Sequence, residues 1–238
     1  MSDAIRTVSP RVEAFHRNAL QKLLFIFIFA FNGVVAAEPL APAEVKTLLG
    51  RIREKRAASP QMQADFQEEK TMKMMNKPIS SSGKVWFQSP DKFRRELRGN
   101  APSTTVSNGQ VLWIYYPKFE SAEKYTLGKR SPLDAGIAAI TASLNLQDVE
   151  QTYNITASRE GNGYVLQLTP KAAAMKRMLQ QFTIRMDESL QVQRTEMLQP
   201  NGDRIVTTYA NETRESIPAS TFEYTPPAGT NVTTPLGG

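Results

Sequence analysis

The sequence predicts a mainly β (α+β) domain: about ten antiparallel strands, an N-terminal helix and a central helical insert. Three observations predict it. Apolar and polar residues alternate with a period of two along most of the chain. Strong tight-turn signals, Asn108-Gly109, Gly161-Asn162-Gly163 and Asn201-Gly202, separate the alternating segments. Helical spacing of apolar residues is confined to two places.

The chain opens on a leader. Leu23 to Val35 reads LLFIFIFAFNGVV, an apolar run of about 13 residues, short of the roughly 20 that span a bilayer as a helix. Arg17 and Lys22 precede it and the small residues Val35-Ala36-Ala37 follow. That order marks residues 1–37 as a cleavable secretory signal and 38–238 as a single exported domain.

Pro42 then suits a first helical turn. Val45, Leu48, Leu49 and Ile52 recur at helical spacing, so a helix is expected over 43–57, ended by Ser59-Pro60. Beyond it, Met62, Ala64 and Phe66 alternate with polar residues. So do Val85 and Phe87, then Phe93, Arg95 and Leu97. Val111 to Tyr116 (VLWIYY) is apolar on both faces. Tyr164, Leu166 and Leu168 alternate again, as do Phe182, Ile184 and Met186, and Asn201-Gly202 splits a last hairpin, 191–198 and 204–209. Short turns between such segments imply an antiparallel meander, and a long sheet with helices on one side will curl around them. One stretch breaks the rhythm: in 132–146, Leu133, Ile137, Ile140 and Leu144 form one helical stripe among small residues.

Composition removes most catalytic chemistry. There is no cysteine, and the only histidine, His16, lies in the leader. Ser-His-Asp and Cys-His catalysis and the usual zinc sites are therefore excluded from the exported domain. No glycine-rich phosphate loop is present, and Asp187-Glu188 reads as a solvated turn. The expectation is a protein that is not an enzyme and uses no cofactor or metal. Without the leader the formal charge falls from +6 to +4, too diffuse to argue for nucleic acid. Alternation accounts for the basic run Lys92 to Arg98 as a strand with one charged face. Arg95, however, shares the parity of Phe93 and Leu97. An arginine on an apolar face suggests a buried pair or a contact with a polar head group. The large aromatics Trp86, Trp113, Tyr115 and Tyr116 suit either a core or a cavity wall.

Five motifs in order resemble one family. They are Phe66-Gln67 after the helix; Gly83 to Phe87 leading to Pro90, Phe93 and Arg94; Ser107 to Tyr115 (SNGQVLWIY); Tyr164 to Lys171 (YVLQLTPK); and Phe222 to Gly229 (FEYTPPAG). Together they resemble the LolA family of periplasmic carriers, which ferry outer-membrane lipoproteins from an inner-membrane transporter to a receptor. The resemblance implies an incomplete antiparallel β-barrel with a central helical lid over a hydrophobic cavity. It also implies periplasmic localisation, an acylated lipoprotein or related lipid as cargo, a transporter and a receptor as partners, and a diffusing monomer. The cavity and lid residues it implies are Leu49, Phe66, Phe87, Phe93, Leu97, Trp113, Tyr115, Leu133, Ile137, Ile140, Leu144, Leu166, Leu168, Phe182 and Ile184. A sensing or envelope-assembly module on the same fold is the alternative. Two departures stand out. Ser89 occupies the place of the family's lid-tethering arginine, and Thr71 to Pro78 forms a methionine-rich insert. A charge at Phe93 or Ile137 is expected to block loading and leave the β-fold intact.

Overall fold

The computed structural model describes residues 37–127, 146 and 149–235. All belong to one compact unit, Val35–Gly238. The leader before Ala37, and Leu133, Ile137, Ile140 and Leu144 of the expected lid, lie outside the described residues.

The expected helix forms as α1, Pro42–Ala58. Pro42 occupies its first turn, and the Ala41 N–H donates to the Glu44 carboxylate at 2.8 Å, satisfying a donor the helix leaves over. Val45, Leu48, Leu49 and Ile52 are buried on one stripe. Two further single turns, α2 (Val149–Thr152) and α3 (Ala173–Lys176), flank the strands that this stripe meets.

The described strands make one sheet of thirteen, not ten. In chain order they are β1 (Glu38–Pro39), β2 (Gln61–Thr71), β3 (Ile79–Gln88), β4 (Lys92–Arg98), β5 (Ser103–Asn108), β6 (Val111–Tyr116), β7 (Ser121–Thr126), β8 (Tyr153–Glu160), β9 (Gly163–Pro170), β10 (Gln181–Met186), β11 (Val192–Leu198), β12 (Arg204–Thr213) and β13 (Asn231–Thr233). Two meanders, β2 to β7 and β8 to β12, join where β12 pairs with β2. Every pairing is antiparallel except that of β13 with β7. Both asparagine-glycine turns close hairpins as expected. Gly109 and Gly202 sit at φ +90° and +88°, where a side chain would be strained.

Alternation sorts the sheet into two faces. On the inner face, α1 packs with Tyr153, Leu166, Leu168, Phe182 and Ile184 in one core. Met62, Ala64, Phe66, Val85, Phe87, Phe93, Leu112 and Tyr125 form a second. Tyr209 on β12 touches both. The outer face of β4 to β6 is covered by the chain after β12. Phe222 is buried there, and the Thr221 carbonyl accepts from Arg94 Nη1 at 3.3 Å.

The turn between β10 and β11 is tied to α1. Lys55 Nζ donates to the Ser189 carbonyl. The Asp187 carboxylate accepts from Gln191 N–H at 2.9 Å, the Ser189 hydroxyl at 2.8 Å and the Gln193 amide at 2.9 Å. Burial works against its ionisation, but the Gln191 and Ser189 hydrogen bonds and the Lys55 charge prevail and hold its pKa below the ordinary 3.8. A depressed pKa contributes stability above the unfolded value and loses it as pH falls through the folded one. Asp187→Ala is therefore expected to lower stability at pH 7 by about 1 kcal/mol. In urea titrations at stepped pH the deficit should shrink once pH drops below 3.8. A deficit that stays constant down to pH 2 would show that the carboxylate charge contributes nothing.

Candidate functional site

The inner face holds an apolar cleft of about 220 Å³. Its walls come from β2 (Phe66, Glu68), β3 (Val85), β4 (Arg95), β10 (Phe182), β11 (Thr195, Met197) and β12 (Ile205, Thr207, Tyr209). In a flat sheet β4 and β10 would stand about 24 Å apart, five strand spacings. Side chains from both line one small space, so the sheet is curled hard around it, as expected of an incomplete barrel.

Local sequence explains the curl. Phe66 pairs across the ladder with Gly83. A Cβ at Gly83 would fall 1.9 Å from the Glu96 carbonyl oxygen and 2.5 Å from the Phe66 ring. The missing side chain lets the ring lie over the β3 backbone. Arg95 then stacks on that ring, its guanidinium carbon 4.4 Å from the centroid.

The cleft carries one charged pair. Arg95 Nη2 donates to Glu68 Oε2 at 2.5 Å, and the Thr207 hydroxyl stands 3.4 Å from the same oxygen. Both side chains keep about a fifth of their surface exposed, 21% for Arg95 and 17% for Glu68. Arg95, on the apolar face by its parity, is thus held in a pair, one of the two outcomes its position suggested. Opposite it, burial pushes the Tyr209 phenol up against an opposing hydrogen bond with Thr195, so it stays neutral at physiological pH. Among the described residues no three His, Asp or Glu side chains gather to hold a metal ion.

The structure divides the residues singled out in the sequence. Phe66 and Phe182 line the cleft. Leu49, Leu166, Leu168 and Ile184 lie on the same face but are sealed in the α1 core. Phe87, Phe93 and the half-buried Leu97 belong to the second core. Phe93 is only 1% exposed, so a glutamate there would report on folding, not on loading. Trp113 and Tyr115 stand on the wrong face for a cavity. Their neighbours Leu112 and Ile114 point inward, while both aromatics pack outside against Tyr224, with centroids 6.2 and 6.1 Å away. In VLWIYY both faces are apolar because the chain after β12 covers the outer one. Reasoning from the sequence missed Glu68, Thr195, Met197, Ile205, Thr207 and Tyr209. Glu68 continues the parity of Met62, Ala64 and Phe66, a signal that was present but masked by the polar run around it.

The sequence pattern of the family described as "Outer membrane lipoprotein carrier protein LolA" matches residues 57–225. An outer-membrane lipoprotein carrier protein of Coxiella burnetii is 27% identical over 149 residues, 63% of this chain and 66% of the relative. The chain thus matches just under two thirds of that relative's length. One from Yersinia enterocolitica is 26% identical over 210 residues, covering 87% of this chain and 96% of the relative. A crystal structure of a LolA superfamily protein from Nitrosomonas europaea aligns at a TM-score of 0.43 and 10% identity, over 75% of this chain and 97% of that one.

Proposed function

This chain belongs to the LolA family of outer membrane lipoprotein carrier proteins, and on that premise we propose that it carries acyl chains across an aqueous compartment, its curled sheet shielding them from water. The observation that carries this reading is the cleft of about 220 Å³ on the concave face, walled by Phe66, Val85, Phe182, Met197 and Ile205. Each methylene left in water costs about 0.8 kcal/mol, so an acylated cargo needs an apolar host. The host must also release it, and thioether and aliphatic walls offer contacts that can be remade, without covalent or catalytic steps. The cargo is an acylated lipoprotein or a related lipid, and a membrane donor and acceptor are its partners. Residues 1–37 direct export to the periplasm and are removed, residues 38–238 are the carrier domain, and no enzymatic activity is involved.

Met197 and Ile205 are half-buried, so each tolerates a charge better than Phe93 does. Met197→Glu and Ile205→Glu are expected to fold, by circular dichroism, and to lose cargo. Native mass spectrometry of the protein released gently from the cell envelope should show an acylated peptide or lipid on the wild type and none on either variant. Folded variants that keep the wild-type adduct, or a wild type that is empty and takes up no fluorescent fatty acid, would overturn the proposal.

A further inference from the structure

One end of the sheet lies close to the cleft. Gln181, Leu198, Arg204 and Thr71 pair in a single row across β10, β11, β12 and β2 at this end. Phe182, Met197 and Ile205 of the cleft wall stand in the next row, so the cleft reaches to within one residue of it. Three connecting segments leave the sheet here: 72–78 between β2 and β3, 171–180 between β9 and β10, and 199–203 between β11 and β12. Hydrogen bonds tie them to one another and to the strand ends. The Lys73 N–H donates to Asp203 Oδ1 at 3.0 Å, and the Gln180 N–H donates to the Leu198 carbonyl at 2.8 Å.

Two properties set these segments apart. Among the described residues five large apolar side chains are exposed, and three of them belong here: Met74 (97%), Met75 (44%) and Met178 (45%). The segments also hold Lys73, Lys77, Lys171, Lys176 and Arg177 against a single acid, Asp203. Lys171 Nζ donates to the Glu150 carbonyl. The other four cations are exposed, and among the described residues they make no ion pair. Protein interfaces centre on aromatic residues and are depleted in lysine. These segments contain no Phe, Tyr or Trp, and three of the four exposed cations are lysines, so a lipid surface fits better than a protein partner. Resting on the carrier reading above, we infer that this end of the sheet docks on a bilayer surface that contains anionic phospholipid. The lysines and Arg177 meet the phosphates, and the methionines reach the acyl boundary, where flexible thioethers adapt to irregular apolar surroundings. The cleft, one row behind, is brought to the level of the acyl chains, so a chain passing between bilayer and protein crosses little water.

Flotation with phosphatidylcholine vesicles that contain about a third phosphatidylglycerol tests the inference. The wild type should float with them and stay behind with phosphatidylcholine alone. A basic residue close to an anionic surface contributes about fivefold, so Lys73→Gln/Lys77→Gln/Lys176→Gln/Arg177→Gln should weaken binding at least about a hundredfold. Met74→Ser/Met75→Ser should weaken it about tenfold. All six positions are exposed, so both variants are expected to keep the wild-type urea midpoint and the uptake of a fluorescent fatty acid. Lys92 pairs with Gln88 at the opposite end of β3, and Lys92→Gln should bind as the wild type does, whereas Lys73→Gln alone should lose about fivefold. A wild type that ignores the anionic vesicles, a quadruple variant that floats as well as the wild type, or equal losses from Lys92→Gln and Lys73→Gln overturns the docking inference and leaves the carrier reading standing. A wild type that floats with the anionic vesicles but carries no adduct and takes up no fatty acid overturns the carrier reading alone.

Discussion

Gly83→Val is expected to destabilise the protein by about 4 kcal/mol or more, a large part of the roughly 5–15 kcal/mol that holds a domain folded. The Cβ would meet the Glu96 carbonyl oxygen at 1.9 Å, and that oxygen belongs to backbone, which cannot rotate aside. Phe66, with ring atoms at 2.5 and 2.8 Å, would have to leave as well. Its departure removes the surface on which Arg95 stacks and opens the cleft floor. Local strain, the curl of the sheet and the shape of the site thus fail together. Urea unfolding of the variant, followed by tryptophan fluorescence, measures the loss. Gly50→Ala serves as the control. Gly50 lies inside α1 with nothing within 4 Å of its would-be Cβ, so alanine should raise stability by up to about 1 kcal/mol. A Gly83→Val protein with a wild-type midpoint would show that the curl does not depend on this close approach.

Glu68→Leu is the second large expectation. It leaves the Arg95 guanidinium four-fifths buried beside a leucine, with its carboxylate partner gone. Breaking a fully buried pair costs about 3–5 kcal/mol, and the residual solvent contact of this one lowers the figure to about 2–3 kcal/mol. The double variant Glu68→Leu/Arg95→Met removes both charges and is expected within about 1 kcal/mol of the wild type, or above it. The recovery measures the coupling, and additive losses in the double variant would mean that the two side chains do not depend on each other. A pair that contributes so little net stability fits better as a polar part of the cleft wall than as a structural clamp.

Much of this arrangement was legible in the chain. Helix α1 followed from Val45, Leu48, Leu49 and Ile52, whose spacing is local and needs no knowledge of partners. The hairpins followed from Asn108-Gly109 and Asn201-Gly202 because backbone sterics alone select those turns. Even the unusual position of Arg95 could be read, since parity along β4 places it among Phe93 and Leu97. What escaped depends on contacts distant in sequence. β5 reads STTVSN, too polar to alternate visibly, yet Val106 and Ser107 are both buried by strands and a segment far along the chain. β1 and β13 are two and three residues long and exist only because β8 and β7 offer free edges. Trp113 and Tyr115 were assigned inward because nothing local to VLWIYY reveals that Phe222 and Tyr224 will return to cover its outer face. Glu68 was passed over for a related reason. Its partner Arg95 lies 27 positions along the chain.

The brevity of β1 and β13 has a consequence for how the molecule behaves in a crowd. A sheet of this width would normally offer two long rows of unpaired amides to any neighbouring chain. Here one margin ends in Glu38–Pro39, where proline has no amide hydrogen to give. The other ends in Asn231–Thr233, laid parallel along β7 against the antiparallel habit of the rest. Among the described residues, strand pairing at these margins leaves only the short stretches 153–157 of β8 and 124–126 of β7 without a strand beside them, so copies of this protein have less purchase for zipping edge to edge than a sheet of this width would otherwise give.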